Sequence, residues 1–216
     1  MTAVTPDEVR ATLAEREQQL HHVANQLWPR IDLGNGCRIF PGIARATARQ
    51  LSILRTSFDH PIEVSASACR LTFELNLLCR YALASNANLL AIVVWRAHDE
   101  IAMHKGVLRL SNGSTPQAEQ CLNDRIRHIE QKLRQHNLTA APHVSPFKMA
   151  EAVNAAEEYK TFYSFYSKYV HASAWLALTA DSERDCYEYR QVFIIQSQIY
   201  ALDIYNRTSE LLNRNG

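Results

Sequence analysis

Apolar residues recur at every third and fourth position along almost the whole chain, and Gly, Pro, Asn and Ser clusters separate the periodic blocks. That spacing is the period of an α-helix, not of a strand. A first helix is expected from about Pro6 to Trp28, with Thr5 as N-cap, Pro6 in the first turn and Val9, Leu13, Leu20, Val23 and Leu27 on one face. Pro29 to Pro41, with Gly34-Asn35-Gly36, reads as a loop. A second helix follows to about Phe58, where Asp59-His60-Pro61 ends it. The segment from about Pro61 to Ser85 is apolar nearly all round: Val64, Ala68, Leu71, Leu75, Leu78 and Ala82 on one face, Phe73, Leu77 and Tyr81 over much of the rest. A helix without a polar side belongs in the centre of a bundle.

The next block, about Asn88 to Leu110, opens with Leu89-Leu90-Ala91-Ile92-Val93-Val94-Trp95. The β-branched pair suits a strand, but the block's length and its later spacing through Ile101, Lys105 and Leu108 select helix. Ser111-Asn112-Gly113-Ser114 closes it, and Thr115-Pro116 opens a polar helix to about Leu138. After a loop at Ala140 to Pro146 come a short helix near Phe147 to Asn154, an aromatic one at about Ala155 to Val170, and a turn through Trp175. A last helix, Ser182 to Leu212, would span about 45 Å. The expected fold is all-α, a single-domain bundle of about six to eight helices over 1–216. Its parts are N-terminal helices (1–58), a core (61–180) and a long C-terminal helix (182–212).

Composition narrows this further. Only six Gly and seven Pro interrupt 216 residues, which favours long helices. Lys and Arg number 23 against 22 Asp and Glu, so no global basic field exists to draw in nucleic acid, though a local stripe is compatible with that balance. The five cysteines (Cys37, Cys69, Cys79, Cys121, Cys186) are odd in number and widely spaced, with no C-x-x-C, which points to a reducing compartment and away from a zinc cluster. Thr5-Pro6-Asp7-Glu8 starts a helix and is not a leader, and the longest apolar run, Leu89 to Trp95, falls far short of the roughly 20 residues a bilayer demands. A cytoplasmic protein is expected. Tyr189, Val192, Phe193, Ile194, Ile195, Ile199 and Tyr200 make the last helix apolar on more than one face, which suggests a homodimer.

Chemistry concentrates in two places. Arg70 and Glu74 sit at i, i+4 inside the apolar third helix, among Cys69, Leu71, Phe73 and Leu75. Exposed, they are an ordinary intrahelical ion pair; buried, they need further polar partners and mark a site. The second place is Tyr163 to Ser173. Tyr159, Phe162, Tyr163, Tyr166, Tyr169 and Val170 share a helical face, most simply a core stripe, and His171 lies where it ends. A histidine there is a helix-end cap, a phosphate contact or a proton shuttle. Glu100 and His104 offer two metal ligands on one helix face, but no second such pair completes a site. Arg125, His128, Lys132 and His136 form a basic stripe broken by Asp124 and Glu130, the pattern of a solvated face. No dinucleotide, Walker or G-x-S-x-G motif appears, so no metal and no cofactor is expected.

Arg70-x-x-x-Glu74 followed at a distance by Ser167-x-Tyr169-Val170-His171-x-Ser173 resembles a bacterial family of unknown function that carries both motifs. The likeness spans roughly Pro61 to Ala180. It implies a helical bundle and singles out Arg70, Glu74, Ser167, His171 and Ser173; it carries no activity. A looser likeness is to helical nucleases of the HEPN type, which use R-x(4–6)-H on a late helix. Here the positions before His171 are Ser164, Phe165 and Tyr166, and the matches that occur (Arg55 with His60, Arg16 with His21 or His22) are at chance frequency.

Two readings of function follow. In one, the chain is a non-catalytic interaction or regulatory module in which Arg70, Glu74 and His171 form a buried network. In the other it is a small helical hydrolase or nucleotide- or RNA-processing enzyme, with His171 as general acid–base, Glu74 orienting it and Arg70 anchoring a phosphate or carboxylate. Ser167, Ser173 and Tyr166 are the expected ligand contacts. Both readings require Arg70, Glu74 and His171 to be neighbours, and a site further requires them to reach solvent.

Overall fold

The computed structural model describes residues 5–29, 38–110, 115–138 and 143–214. Of these, 86% are helical and none is in a strand, so the chain is all-α. In order the helices are α1 (Pro6–Leu27), α2 (Ile39–Thr56), α3 (Ile62–Ala84), α4 (Asn86–Leu110), α5 (Pro116–Gln135), α6 (Pro146–Ala152), α7 (Ala156–Val170), α8 (Ala174–Leu178), α9 (Asp181–Arg184) and α10 (Tyr187–Arg214). Eight of the ten have seven or more residues. The Gly34-Asn35-Gly36 loop, the Ser111 to Ser114 stop and residues 139–142 of the following loop lie outside the described residues. The chain gathers into two compact units: Met1–Tyr81 together with Ser145–Gly216, and Ala82–Val144.

In the first unit, α1 begins on a capping box. The Thr5 hydroxyl accepts from the Glu8 N–H at 3.3 Å, and the Glu8 carboxylate accepts from the Thr5 N–H at 2.7 Å. The expected face is buried: Val9, Leu13, Leu20, Val23 and Leu27, joined by Ala24. It packs on α2, and α10 packs against both. Arg55 reaches Glu17 while Arg45 reaches Asn25, so α1 and α2 run antiparallel.

The core that positions the site is built on α3. Ile62, Ala66, Cys69, Phe73 and Leu77 of α3 meet Ala150 of α6, Tyr159, Tyr166 and Tyr169 of α7, and Phe193 and Tyr200 of α10. Phe73 is the hub, with ring centroids at 6.0 Å from Tyr159, 6.1 Å from Tyr166 and 5.0 Å from Tyr200. Of the face read as Val64, Ala68, Leu71, Leu75, Leu78 and Ala82, the two alanines are buried and the larger side chains are not. Val64, Leu75 and Leu78 are half-buried and Leu71 is 42% exposed. The tyrosines of α7 are large, and the small Ala66 and Cys69 give them room that a leucine face would deny.

Two elements differ from expectation. The turn through Trp175 contains the short α8, and the long last helix is broken at 185–186 into α9 and α10. Arg190 accounts for the break. It donates to Asp185 Oδ1 at 2.6 Å and to the carbonyls of Phe58 and His60 at 3.1 and 2.7 Å, which ties the start of α10 to the turn between α2 and α3. Asp185 leaves helical geometry at φ −98°, ψ 60° to reach it.

In the second unit α4 is helical throughout, which settles the Val93-Val94 ambiguity, and it pairs with α5 through Ile101, Ile126 and Ile129. Arg125 of the basic stripe donates to Glu100 at 2.7 Å, while Arg96 lies 3.6 Å and His104 3.7 Å from the same carboxylate. The Arg125 bond above all holds the Glu100 carboxyl below its usual range. Among the described residues no three His, Cys, Asp or Glu side chains are grouped to hold a metal ion, and no helix is long and apolar enough to cross a membrane.

The hub role of Phe73 sets an expected outcome. Phe73→Ala empties a fully buried position and should cost about 3–5 kcal/mol in urea unfolding, whereas Leu71→Ala, two residues away at the rim, should stay within about 1 kcal/mol. Comparable losses for the two variants would remove α3's inner face from the centre of the core.

Candidate functional site

Helical geometry puts Arg70 and Glu74 one turn apart on α3, and Arg70 Nε–H donates to Glu74 Oε1 at 3.0 Å. The second component arrives from the end of α7. That helix stops at Val170; His171 turns extended (φ −108°, ψ 144°), and its backbone N–H bonds the Ser167 carbonyl at 3.2 Å. The departure brings the imidazole to α3. Arg70 Nη1 lies 2.6 Å from His171 Nε2, and Nη2 donates to the Tyr163 hydroxyl at 3.3 Å. The guanidinium carbon also lies 4.7 Å from the Tyr163 ring centroid. Arg70, Glu74 and His171 are thus neighbours although a hundred residues separate the pair from the histidine.

The cluster is not closed over. The Arg70 and Glu74 side chains keep 16% and 28% of their exposure, and His171 is exposed. Arginine has donors only, so in this contact His171 Nε2 accepts and the ring proton sits on Nδ1. Three of the guanidinium's five N–H groups are engaged by Glu74, His171 and Tyr163, which leaves two for a further acceptor.

Tyr163 belongs to this site although the sequence reads it as core stripe. Its signal was a line of fours along α7, Tyr159–Tyr163–Ser167–His171, which places these residues on one side of the helix. Tyr159 stacks on Tyr163 at 4.8 Å. Burial first, then the neighbouring Tyr163 and Glu74, pushes the Tyr159 hydroxyl up to about 12, so it stays protonated at neutral pH.

The expected ligand contacts are placed differently. Tyr166 is off that line and fully buried; its hydroxyl faces the Cys69 thiol and the Tyr200 hydroxyl. Burial raises both the tyrosine and the thiol, the latter to about 11. Ser173 caps α8, its hydroxyl accepting from the Leu176 N–H at 3.1 Å and donating to the Lys168 carbonyl at 3.4 Å. Ser167 lies on the line, with a buried hydroxyl that has no hydrogen-bond partner among the described residues. Of the described residues considered for the site, Arg70, Glu74, Tyr163 and His171 are joined by direct polar contacts.

These residues fall inside a matched family segment. The chain belongs to a family of unknown function, DUF5677, whose model matches residues 52–185. No curated protein and no solved structure matches the chain. The DUF5677 segment contains both sides of the site, on α3 and α7, and leaves out α1, most of α2 and α10.

The arginine contact sets the histidine tautomer, and that is measurable. At pH 8.5, nitrogen chemical shifts of His171 should show an unprotonated Nε2 and a protonated Nδ1, and Arg70→Ala should return the ring to a mixed population. A protonated Nε2 in the unmodified protein would show that the contact does not persist in solution.

Proposed function

We propose that this protein is a non-catalytic binding module whose Arg70–Tyr163–His171 cluster receives an anionic group, a carboxylate or a phosphate, from its partner. The observation that carries this reading is the 2.6 Å contact from Arg70 Nη1 to His171 Nε2. A general base needs a free lone pair, and here the one imidazole lone pair is committed to a guanidinium. The donors not engaged within the cluster are two guanidinium N–H groups and the Nδ1–H of the exposed His171, beside the second oxygen of Glu74. Donors at the rim of a half-buried site suit an anion, and a guanidinium recognises carboxylate or phosphate geometry directly. Glu74 is spent on Arg70 in place of orienting an imidazole, which further favours binding over acid–base work. In a titration with inorganic phosphate or acetate at constant ionic strength, the His171 ring signals should shift saturably, and Arg70→Ala should weaken the effect at least tenfold, about 1.4 kcal/mol. Absent shifts, or shifts that survive Arg70→Ala, would overturn the reading.

The module is further proposed to work as a cytoplasmic homodimer. Free thiols at Cys69, Cys79, Cys121 and Cys186 support a reducing compartment. On α10, Phe193, Ile194 and Tyr200 are buried, but Ile195, Ile199 and Leu202 keep 52%, 53% and 39% of their exposure. With half-buried Val192 and exposed Asn206 they repeat at alternating threes and fours, a helix-pairing seam that two copies of one helix can share about a two-fold axis. Light scattering at micromolar concentration should return twice the 24.6 kDa chain mass, and Ile199→Glu should halve it with helix content unchanged. A monomeric mass for the unmodified chain would count against the seam.

A further inference from the structure

We propose that the α1–α2 face around Trp28, Arg38, Arg45 and Arg49 binds single-stranded nucleic acid. It lies outside the DUF5677 segment and is independent of the anion site described above. Charge pairing singles it out. Ten arginines lie within 4.0 Å of a carboxylate; of the described arginines without one, Arg16, Arg109 and Arg134 are scattered, whereas Arg38, Arg45 and Arg49 follow one another along α2 from its N-cap. Within the two helices, Gln18 to Trp28 and Ile39 to Thr56 contain no Asp or Glu. The zone ends where Arg55 meets Glu17 at 3.2 Å. With Asn25 opposite Arg45 and Glu17 opposite Arg55, the antiparallel register sets exposed His21 at the level of Arg49. One side of a chain with formal charge +1 is thus locally basic.

The geometry selects the ligand class. From Arg38 to Arg49 the cations spread along about 16 Å of helix, which suits a linear polyanion better than one compact anion. At the Arg38 end stands Trp28, 40% exposed, with the Arg45 and Arg38 guanidinium carbons 4.4 and 5.8 Å from its ring centroid. An accessible indole beside arginine planes offers unpaired bases a stacking platform next to a phosphate track. Among the described residues the face is two packed helices with an exposed indole beside the cations, and base stacking on that ring requires an unpaired strand.

The test is fluorescence anisotropy of a labelled 20-nucleotide oligouridylate with the full chain. Binding should be micromolar at 50 mM salt, with the logarithm of Kd rising against the logarithm of salt at a slope of about 2 for three phosphate contacts. Arg38→Gln/Arg45→Gln/Arg49→Gln should abolish binding at unchanged circular dichroism. Should that triple variant misfold, Arg49→Gln alone should lower the slope by about 0.7. Trp28→Ala should weaken affinity about tenfold and leave the slope intact. No binding at 50 mM salt, affinity unaffected by removing these arginines, or preferential binding to phosphatidylglycerol vesicles would overturn the proposal.

Discussion

The contact on which most else depends is the seating of Phe73 between Tyr159 and Tyr166 of α7 and Tyr200 of α10. It is an aromatic junction of three helices that are remote in sequence. Aromatic rings bury large areas and prefer tilted or edge-on partners, so this junction fixes the separation and the rotation of α7 relative to α3. Rotation matters for the site, because Arg70 lies one turn before Phe73 and Tyr163 one turn after Tyr159. Once Phe73 and Tyr159 meet, the line through Tyr163 and His171 must run past Arg70. The polar cluster is a consequence of the apolar one.

That dependence also explains why charged groups are tolerated beside such a core. A fully enclosed arginine and carboxylate would lose more hydration than their attraction returns. Here Arg70 gives three N–H groups to protein partners and keeps an edge in water, so its cost of burial is partial. Deeper polar groups are managed by being neutral. The Tyr166 hydroxyl faces the Cys69 thiol and the Tyr200 hydroxyl, and burial holds all three protonated. Among the described residues no charged side chain is fully buried, and the charge of this site appears where α7 ends.

The two polar surfaces of this unit differ in how their charges are compensated. At the α3–α7 site the arginine is neutralised by Glu74 and oriented by its neighbours, an arrangement that positions donors for one small group. On α1–α2, Arg38, Arg45 and Arg49 have no carboxylate partner among the described residues and lie near an exposed indole. The first surface lies within the family segment and the second outside it.

Periodicity determined much of this by itself. A 3/4 repeat with caps such as Thr5-Pro6 and Thr115-Pro116 encodes local geometry, and local geometry is what helix starts depend on. Arg70 and Glu74 were legible because charge inside an apolar helix is anomalous within its own turn, and His171 because it ends an aromatic stripe. What only the tertiary structure decided are matters of rotation and long-range partnership. Leu71 and Leu75 look more apolar than Ala66 and Cys69, yet the face that carries Ala66 and Cys69 together with Phe73 is inside, because that face meets the α7 tyrosines. Tyr163 was indistinguishable from Tyr166 as an aromatic on α7, and an angular offset around the helix sends one to the guanidinium and the other into the core. The break at 185–186 answers to Arg190 reaching carbonyls more than a hundred residues away. Periodicity within a helix names its faces; only the neighbours say which face is inside.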